Sequence, residues 1–366
     1  MPIKRIALNT GGGDAPGLNA VIRSIVLSAL NRGWECVGIL DGYNGILRPE
    51  EYPNGWYRPL TRDSVRGITH LGGTIIGTTN RGNPLSFPVL GPDGQWVEVD
   101  RMADIAAAFQ AEKIDALIAI GGDGSLSIAH ALSKHGVRVV GVPKTIDNDL
   151  DETVATFGFD TAVTFAAECL DRLHSTAESH QRIMVVEVMG RYAGWITLFA
   201  GVAATADAIL IPEIPYDINK VAAKIKERDE AGRHFSIVVV AEGAKPLGGD
   251  ITIVGKTIGQ AERLGGVGHK VGAALEVLTG KETRVVQLGH LLRGGTPTAT
   301  DRLLSLRFGA AAVRALAEGY ANIMVALDPP TVRYVPLEQV AGRMKTVPLD
   351  CDTMLTARDL GISFGD

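Results

Sequence analysis

Short runs of aliphatic and β-branched residues recur along the chain, separated by longer segments whose apolar positions repeat at helical spacing. The runs are IKRIAL, CVGIL, ALIAI, RVVGV, IMVVEV, AILI, FSIVVVA, RVVQLG and IMVAL. Nearly unbroken apolar character suits strands covered on both faces, and the segments between them have helical length. This alternation predicts an α/β protein of doubly wound, mostly parallel sheets with helices on both faces. The window WITLFAGVAATADAILIP changes rhythm and carries Asp207, so it predicts a buried helix followed by a strand rather than a membrane span. Residues 41–100 are rich in Gly, Pro and Asn and predict long loops with a hairpin-like insertion.

The chain has 366 residues, 46% of them hydrophobic and 21% charged, enough for a two-lobed protein with a sizeable core. The expected division is 1–150 with about 292–342 in one lobe, and 151–291 with 343–366 in the other. A net charge of -5 and the absence of any long Lys/Arg run argue against a nucleic-acid or membrane-surface partner. Cys36, Cys169 and Cys351 are widely separated, which suggests neither a disulfide framework nor a zinc site and points to a reducing, cytoplasmic compartment. No basic-then-apolar leader precedes Ile6, so no signal peptide is expected.

Glycine concentrates where strands end, which is where open α/β sheets bind ligands. The first such loop, GGGDAPGLN, leads from a strand into a helix, so backbone N–H groups and a positive helix end could receive an anion. It fits neither GxGxxG, because Pro16 replaces the third glycine, nor a P-loop, and alone it leaves a plain tight turn equally open. The second loop is sharper. Gly121 and Gly122 allow close backbone approach, Asp123 offers a hard oxygen ligand, Gly124 leaves room, and Ser125 can cap the following helix. Phosphate with Mg²⁺ is its natural occupant. GKT at 255–257 misses the P-loop pattern, since Asp250 occupies the required earlier glycine position, and reads as a loop.

PKTIDND at 143–149 follows the strand RVVGV. Asp147 can act as general base toward an alcohol, and Thr145 can bind a phosphate or the attacking oxygen. Asp149 can organise metal and water, and Lys144 can neutralise developing phosphate charge. An Asx-rich turn with a surface lysine is the bland alternative. Further on, Arg182, Gly190, Arg191, Glu242, Arg284, His290 and Arg293 fall at strand ends. Several arginines and a histidine could hold a phosphate while Glu242 takes sugar hydroxyls, as a phosphosugar requires. Any one of these arginines could instead be a surface ion pair.

TGGGDAPGLNAVIR, GGDGS, PKTIDND, VVEVMGRYAGW, AEGA and LGHLLRGGTPTATDR together resemble, in order and along almost the whole chain, the 6-phosphofructokinase family. The resemblance implies a two-lobed α/β enzyme that phosphorylates the 1-hydroxyl of fructose 6-phosphate. It also implies a homo-oligomer, dimer or tetramer, whose active sites are completed by a neighbouring subunit. By the same resemblance, Asp147 is the base and Arg191 the transition-state arginine. Thr145, Met189, Gly190, Glu242, His290 and Arg293 look like sugar-phosphate ligands, with Arg182 and Arg284 supplied by the neighbour. Gly13, Tyr43, Asp123, Gly124 and Ser125 look like the donor site, with Mg²⁺ on Asp123. Arg81 stands one place beyond the family's usual donor-site arginine, where this chain has Asn80.

The donor motifs are mixed. GGDGS resembles ATP users, whereas PKTIDND resembles pyrophosphate users. An Asp at 124 would add bulk and negative charge beside a nucleotide's phosphates, so Gly124 favours ATP, while Lys144 can serve either donor. The family's effector positions also look eroded. Arg23 and Arg62 match, but Leu27, His174, Asp207 and Ala231 replace the expected basic or Glu residues, predicting weak or absent regulation of that type. A lipid or NAD kinase would also use GGDG but would not require the MGR, AEG and GHxxRGG segments. A non-catalytic subunit is disfavoured by intact Thr145, Asp147 and Arg191.

Overall fold

The computed structural model describes residues 2–255 and 262–366, so Lys256 and Thr257 of the GKT segment lie outside the described residues. The chain begins with β1 (Arg5–Thr10), α1 (Leu18–Leu30), β2 (Glu35–Ile39), α2 (Asn44–Leu47) and β3 (Tyr57–Pro59). A hairpin of β4 (Phe87–Leu90) and β5 (Trp96–Val99) follows, then α3 (Met102–Ala111), β6 (Ala116–Gly121), α4 (Asp123–Lys134) and β7 (Val139–Pro143). The next stretch holds α5 (Phe159–His180), β8 (Ile183–Val188), α6 (Trp195–Ala203), β9 (Ala208–Leu210), α7 (Ile218–Glu230) and β10 (Ser236–Ala241). It continues through the small pair β11 (Ile253–Gly255) and β12 (Arg263–Leu264) to α8 (Val267–Thr279) and β13 (Thr283–Gln287). The chain closes with α9 (Ala299–Ala317), β14 (Ile323–Asp328), β15 (Thr331–Pro336) and α10 (Asp352–Asp359).

All nine apolar runs appear as strands, sorted into two sheets. The larger has the order β15-β14-β7-β6-β1-β2-β3, parallel except for its two edge strands. Leu8 at its centre stands opposite Gly38 on one side and Ile118 on the other. The smaller sheet, β13-β8-β10-β9, is entirely parallel, with Val185 between Val238 and Val285. Residues on both faces of these central strands are buried, because helices cover each sheet from two sides.

On one face of the larger sheet α1 packs against α9. The two come so close that a Cβ on Gly309 would stand 2.8 Å from the Val21 carbonyl oxygen, so only glycine fits there. The second core gathers Ile196, Leu198, Val239 and Leu170 with Met354, Ala357 and Phe364 from the C-terminal end. Parallel pairing of the central strands means that each sheet presents their carboxyl ends along one edge, and the glycine loops leave from those ends. No helix among the described residues is long and apolar enough to cross a membrane.

Candidate active site

The loop after β1 is held by its neighbours rather than by itself. Gly11 donates to the Ile120 carbonyl at 3.0 Å and Gly12 to that of Thr79 at 2.9 Å, while the Thr78 hydroxyl donates to the Gly12 carbonyl at 2.7 Å. Two cations finish the loop. The Lys144 amine donates to the Gly13 carbonyl, and Arg293 Nη1 donates to the Asp14 carbonyl at 3.1 Å. A Cβ on Gly13 would lie 2.6 Å from that guanidinium nitrogen, so glycine at 13 makes room for Arg293. Lys144 is only 3% exposed, which corrects the alternative of a surface lysine.

The GGDGS loop differs from expectation in one respect. Helix α4 starts at Asp123 with Gly122 as its N-cap and no side-chain cap, so Ser125 is not the capping residue. Its side chain instead fills the space between two glycines: a Cβ on Gly11 would lie 2.5 Å from Ser125 Oγ, and one on Gly121 2.2 Å from Ser125 Cβ. Asp123 occupies the first helical turn, where the helix dipole favours a carboxylate, and its Oδ1 accepts the Gly342 N–H at 2.8 Å. Beside Gly124 there is open space, with nothing within 4 Å of where a Cβ would stand.

Within PKTIDND the polar side chains divide the work. Thr145 Oγ1 accepts the Asp147 N–H at 3.1 Å, the Thr156 hydroxyl donates to the Thr145 carbonyl at 2.7 Å, and Asn148 Oδ1 accepts the Thr156 N–H at 3.1 Å. These bonds make the turn, with Asn148 in the left-handed region at φ 51°. Asp147 is left over: its Oδ1 is buried and has no hydrogen-bond partner. A buried carboxylate oxygen without a partner is costly, and a site that keeps one is a candidate for chemistry.

The electrostatics show which charges face one another. Burial pushes the Asp147 carboxyl above its ordinary range, against the pull of Arg293, Lys144 and Arg191. Burial and the Asp147 charge raise Asp149 to about 6, with Asp123 adding to the push. Glu242 rises to about 7, mainly through burial and then Asp147. Lys144 is lowered to about 7 by burial and by Arg293, opposed by Asp14, Asp147 and Asp149. Residues from both sheets therefore converge on one charged cluster.

The second sheet contributes through the loops after β8 and β10. Gly190 has φ 148°, and its carbonyl accepts the Gly243 N–H at 3.1 Å. A Cβ on Gly243 would stand 1.9 Å from the Arg191 carbonyl oxygen, so the two loops can meet only with glycine there. Glu242 donates its N–H to the Val188 carbonyl at 2.9 Å, the Arg191 guanidinium lies 5.5 Å from the centre of the Tyr192 ring, and Met189 is buried. Beneath them Glu187 is buried, accepting the N–H groups of Gly266 and Gly268 and the Gln287 amide at 2.7–3.0 Å.

Not every expected residue joins this cluster. Arg182 and Arg284 sit at the amino ends of β8 and β13, where both pair with Glu282. The six residues of β8 separate Arg182 from Met189 by about 20 Å. The expectation that all the arginines share one strand-end edge is corrected for these two. His290 is exposed on the turn 289–293, Arg81 is exposed beside Thr79, and Tyr43 shows only 6% of its surface. Sequence reasoning missed Asp14 and Glu187. Glu187 carried a signal: a carboxylate inside the otherwise apolar run IMVVEV has to be satisfied by partners from elsewhere.

Among the described residues no three His, Cys, Asp or Glu side chains close into a metal cage. The mutual repulsion of Asp123, Asp147 and Asp149 fits a divalent cation that takes one or two carboxylates and completes its shell with phosphate oxygens and water.

Two mostly parallel sheets, with a cleft where glycine loops, the buried Lys144, the half-buried Arg293 and an unpartnered carboxylate meet, define a two-lobed α/β protein built to receive anions. The phosphofructokinase family profile matches residues 5–316, and the chain belongs to that family. It is 51% identical over 365 residues, 99% of this chain and 98% of the relative, to ATP-dependent 6-phosphofructokinase of Chloroflexus aurantiacus. It is also 46% identical over 351 residues, 94% of this chain and 97% of the relative, to pyrophosphate--fructose 6-phosphate 1-phosphotransferase of Amycolatopsis mediterranei. The crystal structure of Pichia pastoris phosphofructokinase in the T-state superposes with a TM-score of 0.78 at 30% identity, covering 93% of this chain and 36% of that one.

Proposed function

We propose that this protein is a 6-phosphofructokinase that transfers a phosphoryl group from ATP to the 1-hydroxyl of fructose 6-phosphate, giving fructose 1,6-bisphosphate and ADP. The observation that carries the reading is Asp147, whose buried, unpartnered oxygen faces the charges of Lys144, Arg191 and Arg293. In the transfer, the sugar oxygen forms its bond to the terminal phosphorus, the bond from that phosphorus to the bridging oxygen breaks, and Asp147 takes the hydroxyl proton. A carboxylate whose basicity is raised by burial is suited to that role. Arg191, Lys144 and Thr145 stabilise the transferring group. Met189, Gly190, Glu242, His290 and Arg293 hold the sugar phosphate, and Gly13, Tyr43, Arg81, Gly122, Gly124 and Ser125 line the donor side. Asp123 and Asp149 would hold magnesium, which when bound neutralises the donor's phosphates.

In this reading the donor binds to the lobe of 1–150 with about 292–342 and the sugar phosphate to the other. The position of Arg182 and Arg284, remote from their own chain's Asp147, supports a homo-oligomer in which they complete a neighbour's site. Three free cysteines suit a reducing cytoplasm. ATP is favoured because the space beside Gly124 is open and the Lys144 amine is engaged by the Gly13 carbonyl. Pyrophosphate is the second reading, supported by Lys144 itself and by the Amycolatopsis relative. The test is fructose 1,6-bisphosphate formation from fructose 6-phosphate and Mg²⁺ with each donor in parallel. ATP turnover alone is expected; pyrophosphate turnover alone would transfer the role of donor selection to Lys144, and turnover with neither would end the reading.

A further inference from the structure

A short strap after β15 joins the two halves of the proposed catalytic pair. Its first link is to the acid loop. Met344 bridges to Leu150, and the Lys345 N–H donates to the Asp149 carbonyl at 2.8 Å. The Lys345 amine then donates to the carbonyls of Thr153 at 2.8 Å and Val154 at 3.2 Å and to Asn148 Oδ1 at 3.4 Å. Three acceptors match the three donors of an ammonium group. One of them, Asn148, is the left-handed residue between Asp147 and Asp149, whose Oδ1 also takes the Thr156 N–H.

The second link is to the loop that carries Arg191. The Trp195 indole N–H donates to the Lys345 carbonyl at 3.0 Å, and the amine lies 5.4 Å from the centre of the same indole ring. Two residues on, the Val347 N–H donates to Glu213 Oε1 at 2.8 Å, and the same carboxylate accepts the Gly194 N–H at 3.0 Å. Asp147 belongs to a loop of the larger sheet and Arg191 to a loop of the smaller one. The strap at 344–347 is bonded to both.

We propose that Lys345 is a positioning residue that fixes Asp147 relative to Arg191, so that the strap sets the geometry of proton removal and phosphoryl stabilisation. The inference rests on the phosphotransfer reading, because only a reaction that needs both groups at once is sensitive to their separation. Catalysis that depends on placement loses rate when a supporting group shifts, while ground-state binding changes little.

The test compares wild type with Lys345→Met, which keeps the stem and removes the amine, and Trp195→Phe, which removes the indole donor while keeping an aromatic ring. Lys345→Met is expected to lower kcat about tenfold with both KM values within about twofold. Amide hydrogen exchange should quicken at 145–156, with 183–188 unchanged. Trp195→Phe should lower kcat by about threefold in the same pattern, and it decides the matter if Lys345→Met does not fold. Unchanged kcat, a loss confined to the thermal midpoint, or a rise in KM at constant kcat would each overturn the proposal. Wild type that turns over neither donor would end the phosphotransfer reading instead. In that event the exchange arm alone decides whether Lys345 orders the acid loop.

Discussion

Two charged clusters in this molecule use the same residue types to opposite ends. Around Asp207, at the amino side of the smaller sheet, charge is absorbed by the fold: one carboxylate oxygen pairs with Arg228 at 2.8 Å and the other accepts the Ile237 N–H at 2.9 Å. His174 nearby is engaged with the Ala204 carbonyl and packs edge-on against Phe235. Around Asp147 the backbone turn is completed by Thr145, Asn148 and Thr156, and the acid is left with an oxygen that nothing in the chain satisfies. Burial alone therefore does not mark a functional charge. The mark is burial combined with an incomplete set of partners.

The sharpest way to break this comparison is Asp147→Asn, which keeps the shape and removes the base. We expect kcat to fall by roughly 10²–10⁴-fold in a coupled assay, with the thermal midpoint held or raised. An enzyme retaining most of its turnover would show that the unpartnered oxygen is not the base. Asp207→Ala should do the reverse. Leaving the half-buried Arg228 without its partner costs about 3 kcal/mol, read as a lower thermal midpoint, while kcat of the folded protein stays unchanged. For the same reason wild type should show little phosphoenolpyruvate inhibition, since Asp207 and His174 are already occupied. Strong cooperative inhibition relieved by ADP would sink that view.

Smaller effects sharpen the contrast. Gly124→Asp enters open space, so the fold should tolerate it, but a negative charge beside the donor should lower kcat/KM for ATP about tenfold or more. An unchanged ATP rate would remove position 124 from donor selection. The smallest effect concerns pH. The folded-state value for Glu242, about 7, lies above the ordinary 4.5, so the folded protein binds that proton more tightly. The associated stability is present at low pH and lost as pH rises from about 4.5 through 7. Glu242→Gln removes that loss, so its thermal midpoint should exceed that of wild type at pH 8 and coincide with it near pH 4. Parallel midpoints across the range would show that Glu242 is solvated.

Much of this was legible in the chain because both sheets are buried on two faces, which leaves uninterrupted apolar runs and makes glycine mark the places where strands end. β15 escaped notice because an edge strand such as TVRYVP keeps one side toward solvent and loses the run. Arg182 was read among the residues at strand carboxyl ends although it stands a full strand before Met189; strand length carried that information. Ser125 was read as a cap from its place beside a helix, but its role depends on Gly11, more than a hundred residues earlier. Lys345 and Glu213 had no local signal at all, since each matters only through backbone groups brought from distant parts of the chain.

The meeting of Gly13 with Arg293 has a consequence for how the molecule is made. The glycine loop after β1 has to wait for a guanidinium roughly 280 residues later in the chain, and the larger sheet lacks β14 until residues 323–328 appear. The four strands of the smaller sheet all lie between 183 and 287, with the small β11–β12 pair inserted before β13, so they can pair while the larger sheet is still incomplete. Synthesis thus separates assembly from competence: a growing chain carries all of the acid loop well before Arg293, the cation that closes the cleft, which follows it by about 145 residues.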